Sequence, residues 1–103
     1  MTSYDFHPEA VVDLDEIWDF ISGDNPNAAD RVIADILAAL NNLVSLPKQG
    51  HKRPDLTARP LRFTLVRDYL IAYAPDEKPL WVVAVMHGRR SPRVMAAILR
   101  GRE

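Results

Sequence analysis

Leu61-Arg62-Phe63-Thr64-Leu65-Val66-Arg67-Asp68-Tyr69-Leu70-Ile71-Ala72-Tyr73-Ala74, followed after Pro75-Asp76-Glu77-Lys78-Pro79 by Leu80-Trp81-Val82-Val83-Ala84-Val85-Met86-His87, decides the fold. The runs 61–67, 69–74 and 80–87 are rich in β-branched and aromatic residues, which is the composition of strands. Asp68 alone separates the first two runs, so the chain reverses in a tight hairpin around Arg67-Asp68-Tyr69. Residues 75–79, with a proline at each end, make the second connection. Sequential hairpins of this kind form an antiparallel meander.

Upstream, Tyr4 and Phe6 alternate with Ser3 and Asp5 as in a short half-buried strand, and Pro8 stands where a first helical residue tolerates proline. Ala10, Leu14, Ile17, Trp18 and Ile21 then recur at helical spacing, with Glu9, Asp13, Asp15, Glu16 and Asp19 over the remaining surface. Gly23-Asp24-Asn25-Pro26 interrupts this helix and supplies an N-cap and a first residue for another. In that second helix Ala29, Val32, Ile33, Ile36, Leu37, Leu40, Leu43 and Val44 keep the period until Leu46-Pro47. Residues 47–60 read as a basic surface loop.

Downstream, Ser91-Pro92 caps a short terminal helix with Val94, Met95, Ile98 and Leu99 as its apolar residues. A helix of about ten residues is marginal alone, so it must dock on the body or on a partner. The expected fold class is α+β, β-α-α-β-β-β with a short C-terminal helix: a helical hairpin packed on one face of a four-stranded, mainly antiparallel sheet. The other sheet face, or a groove beside the terminal helix, is expected to be open to a partner. At 103 residues the chain is expected to form a single domain, residues 1–103.

The chain has no cysteine, which excludes disulfides, thiolate-bound zinc, iron–sulfur clusters and a cysteine nucleophile. No apolar run approaches the roughly 20 residues of a membrane span, and Met1-Thr2-Ser3-Tyr4-Asp5 lacks the start of a secretion signal. A cytoplasmic protein without membrane contact is expected. The four glycines are isolated, so there is no phosphate-cradling loop, and His7, His51 and His87 lack metal-ligand spacing. No metal and no cofactor are expected.

The net charge of −1 conceals a division: residues 1–51 hold two basic and nine acidic groups, and residues 52–103 hold eleven basic and five acidic. Either one surface is acidic and another basic, suited to phosphates or an acidic protein, or the halves neutralise each other across their interface. The cationic set comprises Lys52, Arg53, Arg62, Arg67, His87, Arg89, Arg90 and Arg93. Arg62 and His87 are expected to approach each other if their strands bracket the middle one. Guanidinium forks with a histidine suit contact with nucleic acid or acidic protein, and are chemically compatible with RNA cleavage. The carboxylates of the first helix read as a solvated face, Trp18 as part of its apolar stripe and Trp81 as core.

Tyr4-Asp5-Phe6-His7-Pro8-Glu9-Ala10 with Asp13-Leu14 and Ile17, then Asn25-Pro26, Ala28-Ala29, Leu43, Leu46-Pro47 and Gly50, resemble the ParE branch of the ParE/RelE toxins of bacterial toxin–antitoxin modules. Leu61-Arg62, Tyr69-Leu70-Ile71-Ala72-Tyr73 and Val82-Val83-Ala84-Val85-Met86-His87-Gly88-Arg89-Arg90 are similar to its later strands. The likeness spans almost the whole chain in family order. It implies a toxin that poisons DNA gyrase by binding, without a catalytic site of its own, and that is silenced by a ParD-like antitoxin in a hetero-oligomer. The RelE branch implies instead a ribosome-dependent messenger-RNA endonuclease, often with a late tyrosine, whereas no tyrosine follows Tyr73 here. On charge and patterning, the partner-binding residues are expected to be Arg53, Arg62, Arg67, His87, Arg89, Arg90 and Arg93, with apolar antitoxin contacts from Met95, Ile98 and Leu99.

Overall fold

The computed structural model describes residues 3–103; Met1 and Thr2, part of the segment read for a leader, lie outside them. The elements run β1 (Tyr4–Phe6), α1 (Pro8–Ser22), α2 (Pro26–Ser45), β2 (Arg62–Val66), β3 (Tyr69–Ala74), β4 (Leu80–His87) and α3 (Pro92–Arg100). The sheet order is β1-β4-β3-β2, with β1 parallel to β4 and the other pairs antiparallel. This is the expected β-α-α-β-β-β frame with its terminal helix.

Local chemistry starts each helix. His7 Nδ1 accepts the Glu9 N–H, Asn25 Oδ1 accepts that of Ala28 and Ser91 Oγ accepts that of Val94, each ahead of a proline at the first helical residue. The β2–β3 turn is held to two residues because Val66 pairs with Tyr69. Arg67 takes φ 54° to make it, a left-handed conformation that costs a side-chain-bearing residue roughly 1 kcal/mol.

Tyr69, Ile71, Tyr73, Val82 and Val85 face the hairpin and pack with Ile17, Val32, Ile36, Leu40 and Leu43. A register shift beside Ala72/Tyr73 changes the phase of β4, so that Val83 and Ala84 both lie on the opposite face. That second face is covered, contrary to the expectation of an open one. Met95 and Leu99 of α3, together with Leu56 and Leu61 of the connecting loop, bury Phe63, Leu70, Ala72, Val83, Ala84 and Met86. The loop is therefore not merely surface, because Leu56 drops from it into the core. Burial of about 25 cal/mol per Å² of apolar surface explains why a nine-residue helix stays attached.

Trp18 departs from its expected place. It is 38% exposed and bridges the two helices through Nε1–H to Asp30 Oδ1 at 2.9 Å. Trp81 is half-buried against the second core, its ring edge-on to His7.

Candidate functional site

Strand register separates the cationic residues. Arg62 pairs with Tyr73 at one end of β3, and His87 pairs with Tyr69 at the other. Four residues of strand, about 13 Å, plus two inter-strand spacings keep them apart. The expected approach of Arg62 and His87 does not occur, although β2 and β4 do bracket β3.

At the first end, Arg62 Nη1 donates to the Gly50 carbonyl at 2.8 Å. The same glycine's N–H donates to the Tyr73 hydroxyl, which donates in turn to the Pro47 carbonyl. Burial raises the Tyr73 phenol above its ordinary value, opposed by its Gly50 hydrogen bond. Arg62 is thus a tie between β2 and the loop. Arg59 plays a similar part, its Nη1 donating to the Leu99 carbonyl at the end of α3. Arg53 is clamped by both oxygens of Asp55. That hydrogen bonding raises the guanidinium further and draws the Asp55 carboxyl below the usual carboxylate range.

At the other end, Arg67 reaches Asp35 of α2, with Nε to Oδ2 at 2.7 Å. His87 packs edge-on to Tyr69, with ring centroids 5.4 Å apart, while its Nδ1 accepts the Arg89 N–H. Arg90 N–H closes the turn onto the His87 carbonyl. The Arg89, Arg90 and Arg93 side chains are exposed and take no hydrogen bond or ion pair among the described residues. Both readings of the charge division therefore hold in part. Arg67 and Arg102 are neutralised by acids of the helical hairpin, while the turn after β4 keeps its charge.

The apolar residues divide too. Met95 and Leu99 are buried in the chain's own core, Ile98 is half-buried beside them, and Val94 stands 46% exposed on the outer side of α3. They form no single stripe, since Val94 lies off the docked side. The residue that sequence reading missed is Arg102, which ties α3 to α1 and β4 through Asp13 and the Val83 carbonyl. No local signal announces it: it is one of eleven cations in its half, and its partner lies 89 residues away.

Among the described residues no group of histidine and carboxylate side chains could hold a metal ion. Nor is any helix among the described residues long and apolar enough to cross a membrane. The sheet flanked by a helical hairpin and a terminal helix defines a small α+β protein whose turn after β4 carries clustered arginines, unpaired among the described residues. Residues 4–92 match the family described as ParE toxin of type II toxin–antitoxin system, parDE. The chain belongs to that family. Comparison with curated proteins gave no match.

Proposed function

We propose that this chain is a toxin that arrests growth by poisoning DNA gyrase and is silenced by a cognate protein antitoxin. The observation that carries the reading is the ParE family match over residues 4–92. The geometry supports binding over catalysis: Tyr69 and Tyr73 are buried toward the hairpin, Arg62 and His87 stand at opposite ends of β3, and no acid–base pair is assembled between them. An acidic antitoxin segment fits along β2 and α3, where the Leu65 and Val94 side chains lie exposed near cations that set its orientation.

Expression without antitoxin tests the function. DNA-damage signalling and accumulation of cleaved gyrase–DNA complexes are expected, with messenger RNA left intact; rapid message loss with cuts at the ribosomal A site would instead mean the endonuclease activity of the RelE branch. Hydrogen exchange tests the partner surface. New protection in residues 61–67 and 82–100 on antitoxin binding is expected, and protection confined to residues 8–46 would place the antitoxin on the acidic hairpin.

A further inference from the structure

We infer that the turn joining β4 to α3 is a nucleic-acid contact, in which Arg89, Arg90 and Arg93 grip the phosphodiester backbone of duplex DNA. This goes beyond the gyrase reading and does not need it. The inference begins with what each cation already holds. Arg53 is spent on Asp55, Arg67 on Asp35 and Arg102 on Asp13, while Arg59 and Arg62 are spent on backbone carbonyls. Arg89, Arg90 and Arg93 hold nothing among the described residues, as do Arg31, Lys52, Lys78 and Arg100, but these three fall within five positions of one another. From Lys78 to Arg102 the sequence contains no carboxylate at all, so the segment cannot neutralise itself locally.

The turn is also fixed. Arg89 N–H is held by His87 Nδ1 at 3.1 Å, Arg90 N–H by the His87 carbonyl at 3.1 Å, and Ser91 Oγ caps α3 by accepting the Val94 N–H. Gly88 N–H donates to the Asp68 carbonyl at 2.7 Å, which anchors the turn to the β2–β3 hairpin. Three guanidinium groups carried on an ordered turn lose less freedom on binding than three on a loose loop, and the planar fork suits phosphate oxygens bidentately.

The arginines themselves suit phosphate. The exposed apolar side chains beside them, Leu65 and Val94, serve the antitoxin proposed above, while the cavity of about 430 Å³, lined by Val44, Pro47, Pro75 and Leu80, and that of about 450 Å³, lined by Leu43, His51 and Leu65, do not include the arginines. A backbone contact needs only exposed, unspent cations. Because the whole chain carries a net charge of −1, the contact is weak in isolation and gains strength where another partner already holds the toxin beside DNA.

The test is fluorescence anisotropy of a labelled 20-base-pair DNA duplex titrated with the full chain, without gyrase or antitoxin. Binding in 50 mM salt is expected, falling about 40-fold by 200 mM, the dependence of three phosphate contacts. Reversing Arg89, Arg90 and Arg93 to glutamate should weaken binding at least about 20-fold, and replacing all three with glutamine should weaken it in the same direction with the thermal midpoint unchanged. Reversing Arg31, Lys52 and Lys78, an equal change of net charge elsewhere, should alter it less than about threefold. The inference is overturned by absence of binding in 50 mM salt, by equal loss in the two reversal triples, by a glutamine triple that binds as the parent does, or by poly-glutamate of matched charge competing as well as DNA. A protein that binds DNA in this way yet leaves gyrase unaffected would sink the gyrase reading and leave this contact standing.

Discussion

Asp13 and Arg102 meet in a two-pronged ion pair, with Nη2 to Oδ1 at 2.9 Å and Nη1 to Oδ2, and both side chains are nearly buried. The pair occupies an edge of β4 that β1 is too short to cover. β1 pairs only as far as Val82; beyond it, the Val85 N–H donates to Asp13 at 3.0 Å and the Val83 carbonyl accepts from Arg102 at 3.2 Å. Two side chains thus satisfy strand groups that would otherwise be orphaned. Hydrogen bonding to Asp13 raises the Arg102 guanidinium further still.

Asp13→Ala should therefore cost about 3 kcal/mol, since it strips a nearly buried guanidinium of its two-pronged partner, leaving only the Val83 carbonyl and a long contact to the exposed Glu9, and leaves a strand N–H unsatisfied. Urea unfolding measures it. The double variant Asp13→Ala/Arg102→Ala should lose less than the sum of the two single changes, and strict additivity would show that the pair contributes no coupling.

Met95→Ala should destabilise the chain by about 3 kcal/mol through the cavity left beneath α3, whereas Val94→Ala should change stability by less than about 0.5 kcal/mol. Calorimetry on both separates the buried from the exposed side of this helix; if the antitoxin segment lies along α3 as proposed, Val94→Ala is expected to lower antitoxin affinity alone.

Gly50→Ala should cost about 2–3 kcal/mol. A Cβ there would stand 2.8 Å from the Phe63 carbonyl oxygen and run into the Tyr73 hydroxyl. Tyr73→Phe removes the hydroxyl clash but keeps the ring carbon 2.9 Å away and orphans the Gly50 N–H and the Pro47 carbonyl, so the double variant should be no more stable than Gly50→Ala alone, as read by thermal midpoint.

Stability should decline as pH rises above about 10. Burial raises the Tyr69 and Tyr73 phenols above their ordinary value of 10.0; their contribution is complete below the unfolded-state value and disappears as pH climbs through the folded one. Tyr73→Phe should flatten this alkaline limb in unfolding experiments, and an unchanged slope would assign it to other groups.

The meander was legible because the runs 61–67, 69–74 and 80–87 are strand-like in composition and separated by turn residues, and the helices because period, caps and prolines agree. What escaped was non-local. Leu56 is a single apolar residue in a polar, proline-rich loop, and only the sheet above it reveals that it is core. Without that loop and the docked α3, the second sheet face read as vacant. The candidate site was legible as a charge division but not as a place: register sets Arg62 and His87 at opposite ends, and only side-chain geometry distinguishes the spent Arg53 and Arg67 from the unspent Arg89, Arg90 and Arg93. Trp18 keeps helical spacing with the core residues, yet it sits on the flank of the stripe, where its indole N–H finds Asp30.

The tie between Asp13 and Arg102 also imposes an order on biosynthesis. Helix α1 leaves a ribosome before residue 102 does, so its nearly buried carboxylate has no counter-charge until that residue has been made, and β1 has no neighbour until Leu80 to Val82 have followed it. A chain that stops short of residue 102 lacks the counter-charge for Asp13, so this ion pair can close only after all seven elements have been made.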